Sequence, residues 1–469
     1  MKKLFFLFCL AYSAPVLRAQ QGWDLQQCID YAIKHNISLK QSALVNEINK
    51  NNSRQSKAGM LPNLNLGSNH VQNYGQTIDR FTNQFADSKV LSQSFFLNSS
   101  FTIWSGLSQI NNMKANEYTY LSGVENQKQQ EYDLSLNVAN AYIAVIFTEE
   151  LSGIAKNQYD ITREQFERTK KMVDAGALAK SNEYDIKAQL ANEELNLTTA
   201  ENNYQLAMLN LVQLMNLDSV VNFSIIRPRI DLEGEQQLPY NVLELYETSL
   251  RNLPQIKSSE YSIQSAEKNL AASKGRISPV ITFNASTGTG TSGLAEEIVN
   301  TTTVVTPIGA TNSGDIVYAP MASYQTQAMP FSKQFNQNFN RSAGITISFP
   351  LFNGLSTHTS IKNAEINVQN SRFSQDLVKQ NLYKTITQAY ANAKAALNKY
   401  TASKASAEAA AESFKYAKQK YDAGAISAYD YSSAKNRLSA AESNLVQAKF
   451  DYIFKLKVLD YYQGKPLQF

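Results

Sequence analysis

Two patterns of apolar and polar positions alternate along this chain. The first is helical. Leu134, Val138, Ala141 and Val145 fall at spacings of three and four, with Asn, Gln, Ser and Lys around them, which is a thin apolar stripe on a polar helix. No proline occurs between Pro62 and Pro228 or between Pro350 and Pro466, and "ASKASAEAAAESFKYAKQKY" is rich in strong helix formers. The stretch from Leu107 to Asp174 predicts a helix of about 68 residues, roughly 100 Å long, interrupted only by Gly123 and Gly153. Such a helix is stable only when its stripe packs on neighbours, and the pattern excludes a single compact globular core.

The second pattern is extended. "LPNLNLGSNH" from Leu61, "SFFLNSSFTIW" from Ser94, "PVITFNASTG" from Pro279 and "AGITISFPLF" from Ala343 alternate in part between apolar and polar residues. Each is about ten residues, the length of a tilted membrane strand. Apart from the N-terminal apolar run, no segment reads as a transmembrane helix, so if the chain crosses a membrane it must do so with strands. Four spanning strands would leave two edges unpaired in lipid, so if they span, the chain must assemble with further copies. The two strand pairs are joined by polar connections, one near residues 71–92 and a longer one spanning 291–338, read here as outward-facing loops.

The chain is a duplication. "LKQSALVNEINKNNSRQSKAGMLPNLNL" from Leu39 matches "IKSSEYSIQSAEKNLAASKGRISPVITF" from Ile256 without a gap, pairing Pro62 with Pro279 at an offset of 217. A second offset, 248, pairs Phe101 with Phe349, Gly106-Leu107-Ser108 with Gly354-Leu355-Ser356, Asp174-Ala175-Gly176-Ala177 with Asp422-Ala423-Gly424-Ala425, and Tyr204 with Tyr452. The difference is about 31 extra residues between Pro279 and Phe349. Each copy reads helix, strand, loop, strand, very long helix, glycine turn, helix. The expected organisation is a signal peptide over 1–19, a first repeat over 20–227 with its turn at 174–178, a linker over 228–241, a second repeat over 242–462 with its turn at 422–426, and a tail over 463–469.

Composition narrows the function classes. "MKKLFFLFCLAYSAPVLRAQ" has two lysines, an apolar run and a small residue, Ala19, as in a secretory leader. Without Lys2, Lys3 and Arg18 the 44 basic residues fall to 41 against 40 acidic ones, so nothing favours a nucleic acid partner. Cys28 is then the single cysteine, and no internal disulfide is available. His35, His70 and His358 are scattered without metal-ligand spacing, and the many carboxylates lie on polar helices, where they read as solvated faces. The sequence indicates no enzyme active site, no metal site and no cofactor.

The duplication, the segments "FTIWSGL" and "FPLFNGL" that open the long helices, the turns "DAGAL" and "DAGAI", and the terminal Phe469 together resemble the TolC family of outer membrane efflux factors. The resemblance implies a mainly α fold with membrane β: long helical hairpins plus four transmembrane strands per chain, three chains forming a 12-stranded barrel continued by a helical periplasmic tunnel. It implies a homotrimer in outer membrane lipid that serves as the exit duct of a tripartite efflux or type I secretion system. A periplasmic adaptor (membrane fusion) protein would link it to an inner membrane pump of the RND or ABC type. The linker over 228–241 would lie near the tunnel equator.

On the same basis, the turns at Gly176, Ala177, Leu178 and Gly424, Ala425, Ile426 would dock the adaptor at the periplasmic end. Tyr421 matches a gate tyrosine and Asp430 a pore-facing aspartate, while Ile426 and Ser433 stand where the family's best-known member has an arginine and a second aspartate, and Asn182 stands at the matching place in the first hairpin. Asp185, nine residues after Gly176, is a candidate for a further pore ring by its spacing. The competing reading of Asp430 is an aspartate near a helix start, where its charge suits the helix dipole. The competing reading of the whole chain is a periplasmic or surface helical spacer without a pore.

Overall fold

The computed structural model describes residues 22–78, 82–83, 85–86, 89–217, 223–228 and 238–465. The expected leader, most of the linker and Phe469 lie outside the described residues. Two compact units are distinguishable, one comprising Lys50–Tyr118 and Gln264–Gln369, the other the remaining described residues.

The duplication holds to the residue. Helices α1 (Leu25–His35) and α2 (Ile37–Ala58) recur as α5 (Val242–Asn252) and α6 (Pro254–Gly275), every bound displaced by 217. Helices α3 (Ser108–Asp174) and α4 (Lys180–Leu214) recur as α8 (Ser356–Asp422) and α9 (Ala428–Tyr462), every bound displaced by 248. The two longest helices have 67 residues each. Gly123 and Gly153 do not interrupt α3. At Gly123 a side chain would meet Asn46 Oδ1 at 2.5 Å, so the glycine serves the close passage of α2 rather than a break.

Apolar burial is more concentrated than the thin stripe suggests. One cluster joins Leu25, Cys28, Ile29 and Ala32 of α1 to Leu134, Val138, Ala141, Tyr142, Val145 and Ile146 of α3, with Leu211 and Met215 after them and Ile386, Ala393, Phe450 and Ile453 from the second copy. Part of α3 is, by length and composition, apolar enough to cross a membrane. That corrects the expectation that only the N-terminal run would read so. The apolar residues at 134–146 form the core stripe of a helix packed on protein. Tyr142 is fully buried there and its hydroxyl donates to the carbonyls of Trp23, at 3.1 Å, and Ile226. Burial pushes the Cys28 thiol up to about 12, so it stays a neutral packing group.

The other unit carries an antiparallel four-stranded sheet of β1 (Asn65–Asn73), β4 (Val90–Trp104), β5 (Val280–Ser292) and β8 (Asn340–Ser348), in the order β1-β4-β5-β8. Short strands β2 (Thr77–Ile78) and β3 (Phe85–Ala86) pair within the first connection. The second connection is not an open loop. It folds as a hairpin of β6 (Glu296–Ala310) and β7 (Ile316–Ala328), followed by α7 (Phe331–Gln337). The duplication extends to register: Asn65↔Asn98 in the first pair becomes Thr282↔Thr346 in the second, under the same two offsets.

The register divides the sheet into two chemically distinct faces. Leu66 and Leu97, the row Phe101, Phe283 and Ile345, and the pair Ile281 and Ile347 share one face, with Phe101 and Phe283 ring centroids 5.5 Å apart. The opposite face carries Asn98, Ser286 and Ser342, then Ser100 and Asn284, then Thr102, Thr282 and Thr346, linked by Ser286–Ser342 and Asn284–Thr346 hydrogen bonds of 2.6 and 3.2 Å. The apolar residues of β4 therefore do not all share one face. Phe96 lies on the polar face, with its ring over Gly67, where a side chain would meet Phe96 Cζ at 2.5 Å. An aromatic ring covering a cross-strand glycine explains why it departs from the apolar set. Ile103 sits at a register shift between Thr102 and Trp104.

Candidate functional site: the glycine turns and the strand edges

Both helical hairpins reverse through the same turn. Gly176 N donates to Val173 O at 2.9 Å and Ala177 N to Met172 O at 2.8 Å; Gly424 N donates to Tyr421 O and Ala425 N to Lys420 O at the same distances. This is the Schellman pattern, which requires a left-handed residue after the helix end. The φ values of +74° at Gly176 and +72° at Gly424 meet it, and open space surrounds both glycines. Ala177, Gly424 and Ala425 are exposed and Leu178 and Ile426 partly so, which leaves the turn surface accessible.

The two turns lead into differently capped helices. Ser427 caps α9: its hydroxyl accepts from Asp430 N at 3.1 Å while the Asp430 carboxylate accepts from Ser427 N at 3.3 Å and from its hydroxyl at 2.7 Å. Asp430 is therefore an exposed carboxylate with a structural role in a capping box. Ala179, the counterpart of Ser427, caps α4 without a side-chain bond. The spacing Ser427-x-x-Asp430 carries this signal in the sequence, and reading Asp430 as merely dipole-adjacent passes over it.

Tyr421 stacks within its own hairpin, 4.7 Å from the buried ring of Tyr431, which also meets Phe414 at 5.4 Å. Arg168 reaches Asp422 at 3.3 Å, joining the ends of α3 and α8. Asp185 is exposed on α4.

Lys435, one turn beyond Asp430, carries no signal in the sequence. Its side chain is fully buried, and its ammonium donates to Gln158 O at 3.0 Å, to Thr162 Oγ1 and to Glu193 Oε1 at 3.3 Å. Burial pushes the Lys435 ammonium below the usual lysine range, and Glu193 opposes the shift. Three helices, α3, α4 and α9, meet at this one cation.

In the sheet, β1 and β8 are the edges, and both are rich in exposed apolar side chains. Leu66 is 82% exposed; beyond β8, Leu351 and Phe352 are 94% and 83% exposed. Gly106 (φ +62°) shows how such a surface is covered elsewhere in this unit: a side chain there would meet Gly275 O at 2.2 Å and Ser278 Cβ at 2.5 Å. Its counterpart Gly354 (φ +64°) has nothing within 4 Å.

Paired 67-residue helices reversed through glycine turns, together with an antiparallel sheet of one apolar and one polar face, define the class: an outer membrane channel with an α-helical tunnel. The chain belongs to the outer membrane efflux protein family, whose profile matches residues 28–217 and 319–459. Members are channels rather than enzymes, placed in the outer membrane with the helical part in the periplasm. Outer membrane protein TolC of Escherichia coli (strain K12) is 22% identical over 443 residues, spanning 92% of this chain and 80% of the relative. The outer membrane efflux protein BepC of Brucella suis biovar 1 is 19% identical, spanning 75% and 67%. Among solved structures, the outer membrane protein VceC from Vibrio cholerae superposes with a TM-score of 0.73 at 16% identity, covering 95% of this chain and 97% of the other. CusC gives 0.74 at 17%, covering 94% and 92%. These structural likenesses are likenesses of fold.

Proposed function

We propose that three copies close their sheets into a 12-stranded barrel and act as the exit duct of a tripartite efflux or type I secretion system. The duct passively conducts substrates that an inner membrane pump of the RND or ABC type delivers through a periplasmic adaptor. The observation that carries the reading is the duplication of strand register, together with two open edges. Within one chain β4 pairs with β5 as Phe101↔Phe283 and Ser99↔Ala285. Under the offsets 248 and 217 the same pairing sets Phe349 of one copy opposite Leu66 of the next, and Ile347 opposite Ser68. Closure in this register turns the apolar face to lipid and the polar face to the lumen.

In this assembly the residues around Gly176 and Gly424 form six similar sites on one ring, which suits three adaptor dimers or a hexamer. Asp430 would line the constriction as a ring of three coupled carboxylates that attracts cations, with Tyr421 holding the end shut and Asp185 adding a second ring. Val304–Ser323 would face the exterior, where a cysteine at Thr311 in intact cells would take an impermeant label.

The test is inter-copy disulfide formation. Ile347→Cys with Ser68→Cys, in a Cys28→Ala background, should give covalent trimers on non-reducing gels. Ile347→Cys with His70→Cys, one side-chain step out of register, should not. Cross-linking only in the offset pair, or a monomer in native mass spectrometry of the detergent-extracted protein, would sink the proposal.

A further inference from the structure

The β6–β7 hairpin is unlike the rest of its sheet unit. Among the described residues its two strands pair only with each other, so both outer edges present unpaired backbone groups. Its root is fixed. Gln334 is buried and brackets Ser292, accepting from its N–H at 2.8 Å and donating to its carbonyl at 3.1 Å. Asn338 donates to Gly290 O at 2.7 Å, and Lys333 pairs with Glu297. Beyond the root, no charged residue occurs over 298–314 or 316–332, and the strand edges are interrupted by Pro307, Pro320 and a register shift between Ile298 and Asn300. An uncharged, exposed strand edge of this length is an association surface unless something covers it.

One face of the hairpin is the stickier. The register sets Pro307 opposite Tyr318, Val305 opposite Pro320 and Thr301 opposite Tyr324, so both tyrosines of the hairpin share a face, each 59% exposed. All of β6 lies outside the residues that match the family, and the match resumes only at residue 319.

The geometry points to the same hairpin of the neighbouring copies as the occupant: three β6–β7 hairpins pack through the Tyr318 and Tyr324 face and form a collar over the channel mouth. This rests on the trimer proposed above. Three observations select that occupant. First, β7 and α7 lead directly into β8, the edge strand that would receive β1 of the next copy, so each hairpin is rooted at a seam between copies. Second, strands of this length reach roughly 45 Å, against a radius of roughly 12 Å for a 12-stranded barrel, so hairpins on one rim are within reach of one another. Third, the hairpin has no basic residue and its three charges, Glu296, Glu297 and Asp315, are acidic, which disfavours anionic lipid headgroups as the cover. Copies held on one rim meet at high effective concentration, so modest contacts suffice.

The experiment is cross-linking of intact cells with a short bis-maleimide, in a Cys28→Ala background. Tyr318→Cys and Tyr324→Cys report the proposed contact face, and Met321→Cys reports the opposite one. Tethering predicts about tenfold more covalent dimer of this chain at the tyrosine positions than at Met321. Equal yields on the two faces, or adducts of the tyrosine positions with a different protein, overturn the collar. Unboiled gels separate the two readings. Intact trimers without face-selective cross-links refute the collar alone, whereas loss of trimers already in the Cys28→Ala parent refutes the assembly on which it rests.

Discussion

Lys435 Nζ lies 3.3 Å from Glu193 Oε1, joining α9 of the second repeat to α4 of the first. Because this cation is buried, removing its partner or the cation itself leaves unmatched polar groups inside a helical bundle. Lys435→Ala should destabilise the protein by about 3 kcal/mol, while the paired change Lys435→Met with Glu193→Gln should come much closer to the parent. Thermal unfolding in detergent distinguishes them. The folded lysine binds its proton less tightly than the unfolded one, so the unfolded chain holds more protons between the lowered value and the usual lysine range. Stability should therefore rise with pH through that window, with the penalty of the buried charge present in full below it. Lys435→Met should abolish this rise.

The capping box lets the structural role of Asp430 be separated from its proposed role in the pore. Asp430→Asn keeps an acceptor for Ser427 but removes the charge, so it should weaken cation selectivity in planar bilayers with helix content unchanged. Ser427→Ala should fray the first turn of α9, at a cost of about 1 kcal/mol, and leave selectivity intact. Unchanged selectivity in Asp430→Asn would remove the carboxylate from the pore.

At the turns the constraint is backbone angle and not space, since both glycines are surrounded by open volume. Gly424→Asn should be nearly silent, whereas Gly424→Val, β-branched and forced to φ +72°, should cost about 1–2 kcal/mol locally. The valine variants at Gly176 and Gly424 should weaken efflux in a drug-susceptibility assay with trimers still in the membrane. Loss of the trimer would show that these glycines serve folding.

Gly106 and Gly354 share a strained backbone angle but differ in surroundings. Gly106→Ala drives a methyl group into Gly275 and Ser278 and should impair folding of the sheet unit, seen as faster proteolysis. Gly354→Ala meets nothing within its own chain. Its counterparts of Gly275 and Ser278 are Ala58 and Leu61, and in the proposed assembly those belong to the next copy. Gly354→Ala should therefore leave the chain folded and reduce the trimer fraction on native gels.

Much of this fold is legible in the sequence because duplication supplies an internal control. Helix bounds at Ser108 and Ser356, or Asp174 and Asp422, are marked by the same Gly-Leu-Ser and Asp-Ala-Gly signatures. The strands of the β6–β7 hairpin are hidden because runs such as Thr301-Thr302-Thr303 and the prolines at 307 and 320 break apolar alternation. The face of Phe96 is not legible in the run Phe95-Phe96-Leu97, because one residue of register exchanges the faces of a strand. Lys435 is hidden for a different reason. A lysine on a polar helix looks solvated until the neighbouring helices are placed, and Gln158, Thr162 and Glu193 lie more than 240 residues away in the chain.

The repeated strand register also sets an order of events. The β4–β5 seam joins the two repeats of one chain, so its formation depends on loop closure and is independent of protein concentration. In the proposed assembly its duplicate, β8 against the next copy's β1, would be a bimolecular step whose rate grows with the density of chains at the membrane. Scarce protein would therefore accumulate as a four-stranded intermediate with two live edges, and expression level, rather than sequence, would decide how long that aggregation-prone species persists.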